Sequence, residues 1–311
     1  MTKPSVNPTI FVFDLSSNFS RNYFRVKNKG EIPSDGYING IPVFAVKSTI
    51  YQVLKECRRI AEVHGNPSHL ILTIDNDEDT FRKEIYPEYK GQRPPKEEDF
   101  YIQRKMVIRL FEMLGLRVIS KKGFEADDII ATVAHKASKA AIPTIISTRD
   151  KDMFALIDDV VTVFSGIDDS FIDYQSVIDL KGVPPERITD MLVLEGDKVD
   201  NIIGIEGVGP AASKEILKQF SLKEILDNPQ VLLNTKVRGK AKIVQYIEQE
   251  REFIELMREV ATMRTDVDLG SNLNEWRVFN FPPSKTDAYR VIENNFSHCI
   301  REIMSASNAV N

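Results

Sequence analysis

The sequence predicts an α/β protein with a parallel-dominated central sheet flanked by helices, and three observations predict it. Short apolar, β-branched segments recur along the first half of the chain. The spacers between them are long enough for helices. Three of the segments are followed by an acid, two directly and one after a single residue.

Taken in order, TIFVF ends on Asp14, LILTI ends on Asp75, and TIIST is followed by Arg149 and Asp150. A fourth segment, LRVIS over 116–120, leads through KKGF to Glu125, Asp127 and Asp128. From Ala126 to Lys139, Ile129, Ile130, Val133 and Ala137 fall at helical spacing, so those acids open a helix. DDVVTVF, Asp158 to Phe164, reads as another strand. Between the second strand and a helix from about Glu97 to Leu114, the stretch TFRKEIYPEYKGQRPPKEEDFY interleaves Arg82, Lys83, Lys90, Arg93 and Lys96 with Phe81, Tyr86 and Tyr89. Its Gly91, Pro94 and Pro95 argue for a loop or broken helix. Ile102, Met106, Leu110 and Leu114 support the helix that follows, and Gly115 ends it.

After about residue 180 the pattern turns helical: Glu186 to Leu194, a glycine-rich turn, then Pro210 to Phe220 with proline at the first helical position. We expect an α/β domain over 1–180 and a helical region over 181–311. Asn272 to Pro283 reads as strand-like or irregular.

Bulk composition sets limits without naming a chemistry. The 311 residues, 42% hydrophobic and 28% charged, suffice for one large domain or two moderate ones. Cys57 and Cys299 lie far apart, with no zinc-type spacing and no disulfide framework, which fits a reducing cytoplasm. Neither a signal-peptide core nor a membrane-length apolar run is present, so a soluble, unexported protein is expected, with no membrane partner. The formal charge of −5 argues against a phosphate binder unless the acids are gathered in one place.

In open parallel sheets, sites form outside the carboxyl ends of the strands, so acids that follow successive strands are expected to converge. GFEADD places Glu125, Asp127 and Asp128 at a helix start, more negative charge than capping requires. STRDKDM adds Asp150 and Asp152, which share a direction if the strand continues and otherwise share a tight loop. EGDKVDN adds Asp197 and Asp200, on one face if helical. With Asp14 and Asp75 this makes nine carboxylates that would repel one another without cations. Hard divalent ions take such oxygen ligands, and a pair of them can activate water and stabilise both oxygens of an in-line displacement at phosphorus. Removing these nine negative charges from −5 leaves +4, so the total does not oppose phosphate binding. A glycine turn with Gly204, Gly207 and Gly209 before a proline-started helix can present backbone N–H groups to a phosphate, or simply make a tight turn. Lys236, Arg238, Lys240 and Lys242 form a nearby acid-free basic run.

FDLSS at Asp14, TFRKEIYPEYKGQRPP, GFEADD, STRDKDM and GDKVDNIIGIEGVG occur in one order over Phe11 to Ile247. In these the chain resembles the 5′ to 3′ exonuclease/flap endonuclease family, which includes the N-terminal nuclease domain of bacterial DNA polymerase I and bacteriophage 5′-nucleases. The resemblance implies a PIN-like nuclease core with a helical arch at about 78–105, and a helix-three-turn-helix at about 186–220. It implies two Mg²⁺ or Mn²⁺ ions: Asp14, Asp75, Glu125, Asp127 and Asp128 around one, Asp150, Asp152, Asp197 and Asp200 around the other. Lys90 and Arg93 match basic positions that contact the scissile phosphate, and Tyr89 an aromatic for base stacking. Arg82 joins them in the DNA-binding set, and the glycine turn grips duplex DNA, often with a monovalent cation such as K⁺.

The chain departs from that pattern at Ala211 and Ala212, where the family commonly has Lys-Thr; Ser213 and Lys214 follow directly. The implied substrates are DNA with 5′ single-strand/double-strand junctions and RNA-DNA hybrids. A stand-alone monomeric nuclease is expected, from a phage or bacterium and working with replication proteins. The competing readings are a non-catalytic junction-binding protein on the same scaffold, and a small-molecule phosphatase, which needs neither the basic aromatic stretch nor the glycine turn.

Overall fold

The computed structural model describes residues 8–30, 32, 36–270, 272–278, 281, 290 and 293–302. The first strand, β1 (Ile10–Asp14), is buried along its whole length because helices cover both faces of the sheet. It runs into α1 (Leu15–Lys27), and a small hairpin, β2 (Tyr37–Ile38) with β3 (Ile41–Pro42), precedes α2 (Val46–His64). Next come β4 (His69–Thr73), α3 (Phe81–Ile85), α4 (Glu98–Met113), β5 (Val118–Ile119) and α5 (Ala126–Lys139). The remaining strands are β6 (Thr144–Thr148), β7 (Val161–Ser165) and β8 (Ser170–Ile172). The sheet order is β5-β4-β1-β6-β7-β8, parallel except for the β7–β8 pair.

The five expected strands are therefore present, and the α5 bounds coincide with those read from periodicity. Three residues of mixed character gave no periodicity for β8, which exists because a short turn folds it back on β7. The Thr80–Tyr101 stretch is shorter on helix than the arch implied by resemblance. Only Phe81–Ile85 is helical before α4, since Tyr86 is extended and two consecutive prolines keep 94–95 out of a helix.

The rest is helical: α6 (Tyr174–Lys181), α7 (Ile188–Glu195), α8 (Pro210–Leu217), α9 (Leu222–Asp227), α10 (Lys240–Gln249) and α11 (Arg251–Ala261). Two cores face each other across the sheet. One packs α1, α2 and α4 on Phe11, Phe13 and Leu72. The other begins at Val12, Ile71 and Ile146 and runs without a break through α5 into α7, α8, α10 and α11. Fully buried aliphatic and aromatic side chains of this kind contribute roughly 1.5–3 kcal/mol each. Beyond α11 the chain returns to the sheet: a 3₁₀ turn at Leu273–Trp276 is followed by Val278 N–H bonding Ser68 O at 3.0 Å beside β4. Within the stretch read as strand-like or irregular, residues 279, 280, 282 and 283 lie outside the described residues.

Candidate functional site

Strand order reverses at β1, with β4 on one side and β6 on the other, so the crevice of an open sheet opens at the carboxyl ends of these three strands. Asp14 closes β1, and one oxygen caps α1 by accepting from Ser17 N–H at 2.9 Å; the other accepts from Thr148 Oγ1 at 2.7 Å. Asp75, just past β4, accepts from Ala126 N–H at 2.9 Å and so ties the start of α5 to the sheet. That bond brings Asp127 to the same crevice.

After β6 the chain does not continue as a strand. Asp152 N–H donates to Asp150 Oδ1 at 2.9 Å and closes a tight loop. Asp197 and Asp200 sit in a turn, not a helix, because Asp197 and Ile202 exchange two backbone hydrogen bonds of 2.8 Å. Asp14, Asp75, Asp127, Asp150, Asp152, Asp197 and Asp200 thus line one cavity of about 680 Å³, together with Lys90, Arg93 and Lys96. Glu125 lies in a smaller adjoining hollow with Asp127, Asp152 and Asp200.

Crowding shows in the acid–base behaviour. Burial, with Asp75 and Asp150 nearby, pushes the Asp14 carboxyl up to about 7 against the pull of its hydrogen bonds. Burial and the repulsion of Asp150 and Asp197 raise Asp152 to about 7. Asp127 is driven well above the carboxylate range by burial, then by Asp14 and Asp150; Asp150 is raised by burial too. Glu125 moves the other way: burial opposes its charge, but Lys90 and Arg82 outweigh it and hold the carboxyl below the usual range.

Two cations reach into this field. Lys90 Nζ lies 2.6 Å from Glu125 Oε1 and 3.6 Å from Asp200 Oδ2, and Arg93 pairs with Asp200. Lys90 holds a left-handed backbone, φ 54°, with its N–H bonded to Asp200 O at 3.1 Å. A non-glycine residue there costs of order 1 kcal/mol or more and persists because its surroundings impose it. Among the described residues no three acids, histidines or cysteines are drawn together tightly enough to hold an ion as they stand. The donor set is all hard oxygen, which suits Mg²⁺ or Mn²⁺ and not softer metals.

Three expected site residues prove to be scaffold. Asp128, fully buried, faces away from its neighbour Asp127: Arg82 grips it through two bonds of 2.7 and 2.8 Å, and the N–H groups of Glu125 and Arg264 donate to it. Consecutive helical residues point about 100° apart, so only one of the pair can reach the crevice. Arg82 is correspondingly only 3% exposed and cannot meet DNA; its Nε donates to Val260 O at 2.8 Å. Tyr89, also 3% exposed, is not available for stacking, and its hydroxyl lies 2.9 Å from Glu125 Oε2 and 3.2 Å from Asp200 Oδ2.

In the glycine turn, Gly204 presses on the Glu195–Gly196 backbone so closely that a Cβ would collide, and Ser213 is buried with its hydroxyl on Glu195. Gly207 (φ +83°) and Gly209, the residue before α8, are exposed, and Lys214 packs its stem on Gly182. Lys236 and Arg238 are exposed; Lys240 donates to Thr235 O at 2.8 Å. Sequence reading missed Thr148, Ser16, which accepts from Asp75 N–H at 2.7 Å, and Lys96 in the crevice wall. Thr148 and Ser16 each stand two residues from a site acid, a signal too common to single them out.

The 5′-3′ exonuclease N-terminal resolvase-like domain model matches residues 9–182, and the 5′-3′ exonuclease C-terminal SAM-fold model matches residues 183–283. A 5′-3′ exonuclease of Aquifex aeolicus is 31% identical over 262 residues, covering 84% of this chain and 83% of that protein. Flap endonuclease Xni of Shewanella baltica is 30% identical over 242 residues, covering 78% and 89%. DNA polymerase I of Rhizobium leguminosarum is 32% identical over 240 residues, where this chain spans only 23% of the relative. The T5 5′-exonuclease with bound zinc ions shares the fold, with TM-score 0.63 and 19% identity over 96% of this chain and 98% of that one. The catalytic core of Rad2 in complex with DNA substrate also shares it, with TM-score 0.54 and 18% identity over 97% and 93%.

Proposed function

The chain belongs to the 5′-3′ exonuclease family, and from that premise we propose that it is a structure-specific 5′-nuclease that hydrolyses DNA phosphodiester bonds with two divalent ions. The observation that carries the reading is the single crevice where seven aspartates from distant parts of the chain meet five basic side chains, Lys90 and Arg93 among them. Asp14, Asp75 and Asp127, with Glu125 beside them, would hold one ion. Asp150, Asp152, Asp197 and Asp200 would hold the other. When bound, such ions supply an activated water and neutralise the reacting phosphate.

The chain's own residues do the rest. Lys90 and Arg93, now paired with Glu125 and Asp200, are the groups placed to meet a scissile phosphate once divalent charge satisfies those acids. Tyr89 positions both acids by its hydroxyl, and the strained backbone at Lys90 aims its ammonium inward. The exposed turn at Gly207 and Gly209, with Lys214, Lys236, Arg238 and Lys240, is the surface we assign to duplex DNA, with K⁺ on the turn's carbonyls. Junctions carrying a 5′ single strand are the expected substrates, RNA-DNA hybrids a further one. The protein acts as a cytoplasmic monomer alongside replication proteins.

Incubation with end-labelled flap, nicked and hybrid substrates, with and without Mg²⁺, tests this. Cleavage that stops in EDTA while junction binding persists is expected. Undiminished hydrolysis in excess chelator would end the two-metal reading, and binding without cleavage under any divalent ion would favour a non-catalytic junction binder.

A further inference from the structure

Between the acidic crevice and the glycine turn, three lysines from separate elements gather. Lys151 stands in the loop after β6 and lines the crevice, Lys181 is the last residue of α6, and Lys214 lies in α8. Packing holds them together. The Lys181 ammonium lies 5.9 Å from the centre of the Phe154 ring, in the 3₁₀ turn Asp152–Leu156 that directly follows Lys151. On the other side, a Cβ on Gly182, the residue after Lys181, would lie 3.4 Å from the Lys214 side chain. Lys181 thus stands between the other two.

The protein does not answer these charges itself. Lys151 is exposed, Lys181 and Lys214 are half-buried, and none of the three makes an ion pair or a side-chain hydrogen bond among the described residues. Burial lowers the Lys181 pKa, and the like charges of Lys151 and Lys214 act in the same sense against the attraction of Asp152 and Glu195. Both acids have other tasks: Asp152 lines the crevice, and Glu195 accepts from the Ser213 hydroxyl. The glycine turn supplies no cation either. Its one charged residue is the exposed Glu206, and α8 opens on Pro210, Ala211 and Ala212. A phosphate that approaches over Gly207 and Gly209 must therefore find its counter-charge on neighbouring elements.

We infer that Lys181, with Lys214 on one side and Lys151 on the other, binds backbone phosphates of the strand that is cut, along its path from the glycine turn to the crevice. One strand of a duplex carries a phosphate for about every 3.4 Å of axis, so cations set side by side on separate elements can follow it. The choice of strand comes from Lys151: it shares the crevice with the acids, so the strand that passes it is the one whose phosphate reaches them. The inference rests on the nuclease reading, and it adds α6 and the loop after β6 to the surface assigned to duplex DNA.

Lys181→Gln/Lys214→Gln removes two charges and keeps most of each stem that packs on Phe154 and Gly182. In Ca²⁺, a fluorescent flap substrate should bind this variant about 10-fold or more weakly, with a salt slope shallower by about two counterions. Lys181→Arg/Lys214→Arg should restore both; a loss equal to that of the glutamine variant would mark a packing effect and overturn the assignment. A neutral methylphosphonate moved one linkage at a time along the duplex part of each strand locates the contact. Neutral linkages in the cut strand close to the cleavage site should weaken binding to the unaltered protein and cost the glutamine variant little more. Interference confined to the uncut strand would overturn the strand assignment. Unaltered affinity and slope in the glutamine variant, beside normal cleavage by the unaltered enzyme, would overturn the lysine site and leave the nuclease reading standing. Failure of the unaltered enzyme to cut any flap, nicked or hybrid substrate in Mg²⁺ would overturn the reading beneath it. Displacement of the flap by inorganic phosphate or polyglutamate as readily as by unlabelled oligonucleotide would show lysines that answer to charge alone, and would overturn the strand site.

Discussion

Asp127 and Asp128 are adjacent and chemically identical, yet one lines the crevice and the other is clamped by Arg82. Asp127→Asn should abolish most cleavage and leave the metal-free fold as stable or more so, because it removes one of several mutually repelling carboxylates. Asp128→Asn should cost about 3–5 kcal/mol of stability, the usual loss when one partner of a buried pair goes. Denaturant midpoints in EDTA, set beside single-turnover rates in Mg²⁺, would check both. Lys90 and Lys240 make a second contrast. Lys90→Ala should slow the cleavage step by about 10² to 10³, as for a group that strengthens its grip in the transition state. Lys240→Ala should mainly raise the dissociation constant; a normal single-turnover rate in the Lys90 variant would dismiss its catalytic role. At this scale the sequence shows which residue types follow which strand, so the aspartates at the strand ends were legible. It does not show which way each side chain faces, and Arg82, Tyr89 and Asp128 were misjudged because burial depends on α11 and α7, far along the chain.

Among elements, the end of β1 and the loop after β6 face one crevice, and their acids Asp14 and Asp152 should respond to pH together. The Asp14 and Asp152 carboxyls sit at about 7 in the folded protein against about 4 in an unfolded chain. Between those values the folded state binds more protons, so the stability these groups contribute is complete below about pH 4 and is lost as pH rises through about 7. Metal-free protein should therefore show a thermal midpoint that declines over this window on their account. Glu125, held below its usual range, contributes in the opposite sense. Mg²⁺ needs the same carboxylates deprotonated, so it should raise the midpoint more at pH 8 than at pH 5.5. Calorimetry with EDTA or Mg²⁺ at both values would show it; an equal Mg²⁺ effect at both would separate these acids from the metal. The strands and α5 were readable because period and burial agree. The 81–97 segment was readable only as a break in helix, since its path is dictated by what it lies on: Asp200, Glu125 and α11.

At the scale of the whole molecule, the two halves are not separable. One hydrophobic core runs from Val12 under the sheet to Val260 in α11, and Arg82 in α3 is bound to the Val260 carbonyl. A fragment ending at residue 182 should be poorly soluble and inactive, exposing the apolar face of α5 and lacking Asp197 and Asp200. Expression and light scattering of that fragment would test it; a monodisperse, folded product would show the core to be divisible. The Arg82–Val260 bond also has a consequence in time. Its partners are 178 residues apart, and at the usual rate of synthesis, about 5–20 residues per second, roughly 10 to 35 s separate them on the ribosome. During that interval the first acids are already made, the turn that carries the last two emerges only about two-thirds of the way through, and the carbonyl that finishes securing α3 comes at its end. A growing chain is thus a nuclease without a cutting edge, and the edge forms only when α11 arrives.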